Sequence, residues 1–426
     1  MNAFVDNTSI HRIFTMIRPQ SRAKPIRKID ALALLQFAEH LLFSEGMTVS
    51  TFEWPQTCDI TNRAIEVLTS AGCVNAGMGI SLRPVDFTDA EYAEACKAAA
   101  PRIQEVLQTS KLSALKRASK LAGETTRPIN IASPRLDMWL GENVGEKRRE
   151  IMLASSLSKK AAGAFDFTIC ADPNLYMQLR VTATKIKEAR QRHDIASFLE
   201  VMFRVAINEQ LARIKQSSYS PAPQRAKVVH VAEQLSEQSF RNALARTIDD
   251  EIRGRGAQFA SKLMEKLHEL KTLPFPMFVL HYLREARPRP KTPLGLLETA
   301  RNLREDSEVK EIRRWLNKWE IIYGAGNDNQ REKAEKQLDS IANELKIDRM
   351  KAPLFSMWRP KMSSNPTGFD TDPDVSGGLL ILGHLLRRVS FLDNHSIFLA
   401  TLSKEFEFDR QIGVDLNGML GRALVD

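Results

Sequence analysis

Cysteine is scarce in this chain and never paired along the sequence. Cys58, Cys73, Cys96 and Cys170 form no C-x-x-C step of the kind that opens a zinc or redox site, so four buried free thiols are expected. Long apolar runs are missing too. GGLLILGHLL falls far short of the roughly 20 residues that a membrane-crossing helix needs, and the opening MNAFVDNTSIHRIFTM lacks the apolar centre of a signal peptide. These absences predict a soluble, cytoplasmic protein with no membrane contact.

Signatures of catalysis are equally thin. NAGMGISLR and GAGNDN each carry two glycines but no following G-K-[ST], and there is no G-x-S-x-G elbow or H-E-x-x-H pair. His193-Asp194 is half of the ligand set of an HD-type phosphohydrolase, but no histidine lies between His40 and His193 to complete it. Glu308-x-Lys310 resembles half of a PD-(D/E)xK nuclease motif, in which carboxylates bind a cation and lysine polarises water. It sits in a strong helical pattern, whereas that chemistry belongs on a strand.

The most site-like string is GFDTDPDVSGGLL, with Asp370, Asp372 and Asp374 at alternate positions. A calcium loop of the EF-hand type wants glycine at its sixth position and glutamate at its twelfth; counted from Asp370 these are Val375 and Ile381. A turn and helix cap are therefore expected, with no metal and no cofactor. Asp249, Asp250 and Glu251, followed by Arg253 and Arg255, read as a solvated helix end.

Positive charge is what the chain does have. Lysine and arginine number 61 against 52 aspartates and glutamates, a formal net charge of +9. Such an excess favours a polyanionic partner. Between His11 and Ile29 stand Arg12, Arg18, Arg22, Lys24, Arg27 and Lys28 with no acid among them, broken by Pro19 and Pro25. This pattern predicts a flexible cationic arm over residues 1–28 that would hold nucleic-acid phosphates without reading sequence. Near the other end, Trp315 and Trp319 lie four apart among arginines and lysines in IRRWLNKWEIIY. They share a helix face and are candidates for a protein interface.

Apolar spacing predicts helix nearly everywhere. Ala31, Leu34, Leu35, Ala38 and Leu42 recur at three- and four-residue steps, as one face of a helix that Gly46 would end. MTVSTFEWP and GISLRPVDF read as short strands, with a helix between them from Asp59 to about Gly72. Thr88 and Glu91 form a capping box for a helix to about Leu107. Leu175 to Ile214 contains no glycine or proline, and SSYSPAPQRAK then reads as a loop. Thr292 and Pro293 mark a further helix start, and NDNQREKAEKQLDSIANELK continues as the second arm of an antiparallel hairpin.

The expected fold is mainly α, with multi-helix domains and a small mixed α/β N-terminal module. Its expected divisions are the arm at 1–28, a mixed module at 29–125, a helical domain at 126–290 and a helical C-terminal region at 291–426. The function expected from these features is that of an intracellular interaction protein acting through macromolecular contacts. A protein partner or self-association is expected, with nucleic acid as a further partner. The alternative is a metal-dependent hydrolase or nuclease relying on Asp249, Asp250 and the acids from Asp370 to Asp374.

Overall fold

A computed structural model describes residues 2–18, 25–50, 55–77, 80–109, 173–226, 288–306 and 409–421, with single positions at 113–119, 279–286 and 309–313. The elements, in chain order, are β1 (Asn2–Val5), α1 (Asn7–Ile17), α2 (Lys28–Phe43), β2 (Gly46–Ser50), α3 (Pro55–Ser70), β3 (Ser81–Val85), α4 (Asp89–Thr109), α5 (Pro173–Thr184), α6 (Ala189–Ile214), β4 (Ser218–Ser220), α7 (Pro293–Leu303) and α8 (Asp409–Met419). The strands form one sheet of order β3-β2-β1-β4.

Local chemistry sets many of the boundaries. Asp6 caps α1, its carboxylate accepting from the Thr8 amide at 2.8 Å. Thr88 and Glu91 make the reciprocal capping box: the Thr88 amide donates to Glu91 Oε2 at 2.8 Å and the Glu91 amide to Thr88 Oγ1 at 3.2 Å. Thr292 Oγ1 accepts from the Gly295 amide at 2.9 Å, and Pro293 opens α7 where its missing N–H costs nothing. Gly72, at φ +69°, turns the chain out of α3, and the Cys73 amide closes on Leu68 O at 2.9 Å.

The chain packs as two compact units. The first comprises Met1–Val49, Glu53–Pro84 and Ile248–Asp426. Here β1 and β2 run parallel, with Asn2 opposite Gly46 and Val5 opposite Val49. A Cβ at Gly46 would stand 2.7 Å from Asn2 Oδ1, so the Asn2 side chain would have to turn aside for any larger residue. Helix α2 is the centre of the unit. It is buried on nearly every side, and Leu32, Leu34, Leu35, Phe37, Ala38, Leu41 and Leu42 are all buried. Even Glu39 and His40 are buried, with His40 Nδ1 meeting Ser44 Oγ at 3.1 Å. Helices α1, α7 and α8 pack against α2, and α1 also packs against α3 and α7.

The second unit comprises Ser50–Phe52 and Val85–Thr247. In it α4 packs against α5 and α6, and α6 against β4. Lys215, just past the end of α6, donates to Glu91 Oε1 at 2.7 Å and lies 4.9 Å from the centre of the Phe87 ring.

These observations overturn the expectation of a mainly α fold. Helix does account for 68% of the described part, but a four-stranded sheet stands with it, and the N-terminal module is α/β. The sheet begins at Asn2, inside the stretch expected to be a flexible arm, and α1 follows within the same stretch. Strand β4 lies within SSYSPAPQRAK, expected to be a loop. A helix buried on nearly every side, as α2 is, cannot be covered by its sequence neighbours alone, so α7 and α8 complete its burial from far along the chain.

Candidate nucleic-acid interface

Asp30, in the first turn of α2, brings two of the predicted cations, Arg12 and Arg27, to one carboxylate, and the fold treats the cations differently. Arg12 lies on the inward face of α1 and is 6% exposed. Its Nη1 donates to Asp30 Oδ1 in the first turn of α2. Burial pulls the Arg12 pKa down from its ordinary value, and the neighbouring carboxylate acts the other way. Arg27 reaches the same carboxylate, its Nε donating to Asp30 Oδ2 at 2.7 Å, but its side chain is 53% exposed. Arg18 caps the end of α1 through its amide, which donates to Phe14 O at 3.2 Å, and its side chain is exposed. Lys28 opens α2 and is also exposed. Arg22 and Lys24 lie outside the described residues.

The segment is tied at both ends. Asn417 of α8 is fully buried and closes on the backbone of Ile26: its Oδ1 accepts the Ile26 amide at 3.0 Å, and its Nδ2 donates to Ile26 O at 2.8 Å. A third bond runs from Nδ2 to Gly413 O at 2.9 Å. The carboxamide thus serves Ile26 as a neighbouring strand would. Neither Asp30 nor Asn417 was legible as a partner from sequence. Asp30 is the first acid after the basic run, which is a faint signal, whereas Asn417 stands 391 residues from Ile26.

Two further cations act as structural groups. Arg304 is 7% exposed and donates from Nη1 to Leu41 O at 3.0 Å and Leu42 O at 3.3 Å, satisfying the last carbonyls of α2. Arg313 donates to Leu42 O at 3.4 Å. Burial, helped by the neighbouring Arg313, brings the Arg304 pKa down to about 10.

Trp315, Trp319, Asp249, Asp250, Glu308, Asp370, Asp372 and Asp374 lie outside the described residues. Lys310 pairs with Glu305 at 3.0 Å, and His193-Asp194 falls within α6. Cys73 and Cys96 are buried and form no disulfide. Among the described residues no three His, Cys, Asp or Glu side chains gather as a metal site, and no helix is long and apolar enough to cross a membrane. Compared with models of protein families, with curated proteins and with solved structures, the chain finds no match.

Proposed function

We propose that this chain is a cytoplasmic binding protein that acts through macromolecular contacts and holds nucleic-acid phosphates along the stretch from Arg18 to Lys28. The observation that carries this reading is the exposure of Arg18, Arg27 and Lys28 on a segment tied to the fold at both ends. Arg12 contributes nothing to it, because its side chain is buried against Asp30. A tethered segment loses less conformational freedom on binding than a free arm, and its contacts remain indifferent to base sequence.

Fluorescence anisotropy of a short labelled DNA duplex, titrated with protein from about 50 mM salt upward, tests this. Glutamine in place of Arg18 or Lys28 should each make the slope of log K on log salt shallower by about 0.9. No retention of DNA or RNA by the full chain at the lowest salt refutes the proposal, and metal-dependent cleavage of the duplex would favour a nuclease. Deleting residues 1–28 is not a clean test, since it removes β1 and the buried Phe4, Ile10 and Ile13 of the core.

Protein contact is a second reading, favoured by Met177 and Val181. They lie four apart on α5 and are 57% and 48% exposed. Light scattering on the wild type and on a Met177→Ser/Val181→Ser double variant decides it: self-association lost in the variant supports it, and a monomeric wild type that retains no protein partner removes it.

A further inference from the structure

Helix α8 reaches the basic segment from the far end of the chain, and the face it presents carries one more cation. Asn417 holds Ile26, and one turn earlier Gly413 lies against Lys28: a Cβ built there would stand 3.5 Å from Lys28 Cα and 3.6 Å from its Cγ. The contacts therefore run in opposite senses along the two pieces, from Asn417 at Ile26 to Gly413 at Lys28. One turn further, at the same three- to four-residue spacing, the stripe of α8 reaches Arg410. Arg410 is exposed, in contrast to buried Gly413 and Asn417.

We infer that Arg410 belongs to the phosphate-binding surface formed by Arg18, Arg27 and Lys28, and that this surface spans α8 as well as the α1–α2 segment. The inference rests on the nucleic-acid reading above. Among the described side chains, Asp30 and Asp415 leave Arg410 uncancelled on this face. Asp30 is buried and paired with Arg12 and Arg27, and Asp415 lies about 140° round the α8 axis from Arg410. Asp415 is also engaged, accepting from Gln411 Nε2 at 2.9 Å. Phosphates following Arg27 and Lys28 past the start of α2 would meet Arg410 next.

The test compares Arg410→Gln with Arg83→Gln, which removes one exposed positive charge from β3. Both proteins and the wild type are titrated against the same labelled duplex over a range of salt. The expected result is a salt slope shallower by about 0.9 for Arg410→Gln, with affinity several-fold weaker at about 50 mM salt, and an unchanged slope for Arg83→Gln. If the wild type binds and Arg410→Gln matches it, or if both variants lose equally, the inference is overturned, the second outcome marking an effect of net charge alone. If the wild type does not bind, the nucleic-acid reading itself has failed.

Discussion

A guanidinium withdrawn from water carries its charge into the interior, and removing its counter-ion is costlier than never having had the pair. Arg12 and Asp30, with side chains 7% and 10% exposed, are such a pair. Asp30→Ala leaves Arg12 buried without its carboxylate and releases Arg27, so a loss of about 3–5 kcal/mol in urea unfolding is expected. The double variant Arg12→Met/Asp30→Leu should recover most of it. A single variant as stable as the wild type would show that Arg12 escapes to solvent. Cys73 makes a second residue-scale case. Its burial pushes the thiol up to about 12, so thiolate is scarce at pH 8. Iodoacetamide labelling followed by peptide mass mapping should find Cys73 modified only after denaturant is added, and labelling of the native protein would mean that the turn after α3 opens.

At the scale of elements, Glu91 joins two helix ends, closing the capping box of α4 and holding Lys215 beyond α6. The Lys215 hydrogen bond, with the Thr88 amide next, draws the Glu91 pKa below its ordinary 4.5. A carboxylate with a depressed folded-state pKa stabilises above its unfolded value and loses that contribution as pH falls through the folded one. Glu91→Gln should therefore flatten the part of the stability curve below about pH 4.5 and change little in its shape near pH 7. A parallel fall in both proteins would remove the linkage. The two caps at Thr88 and Thr292 were legible because a cap is written in four consecutive residues. Strands β1 and β4 were not, because four residues at one terminus and Ser-Tyr-Ser before a proline carry no alternation from which to read a period. Helix α2 was read as half buried from Ala31, Leu34, Leu35, Ala38 and Leu42. Leu32, Phe37 and Leu41 on its other sides were the sign that more of the chain had to cover it.

Across the whole chain, the core of the first unit draws on residues that sequence cannot pair by any local rule. Ala3, Ile13, Leu35, Val49, Leu82, Leu297 and Leu416 belong to one buried cluster. The basic run was legible as a run, but its division into one buried cation and several exposed ones depends on Asp30 and on an asparagine from α8. For the same reason α8 should be essential to stability although it is only 11 residues long. Truncating the chain before Asp409 removes Ile412 and Leu416 from the cluster and leaves the Ile26 amide and carbonyl without Asn417. Two unsatisfied buried backbone groups cost about 1–3 kcal/mol each, and two buried aliphatic side chains add about 1.5–3 kcal/mol each. That sum is comparable to the 5–15 kcal/mol by which a whole domain is stable. The truncated protein is expected to bind a hydrophobic dye and to lose the cooperative thermal transition of this unit, while Asn417→Ala alone should lose at least about 2 kcal/mol and keep the transition. A truncated chain that melts as cooperatively as the full one, at the same temperature, would show that α2 does not need α8 to cover it.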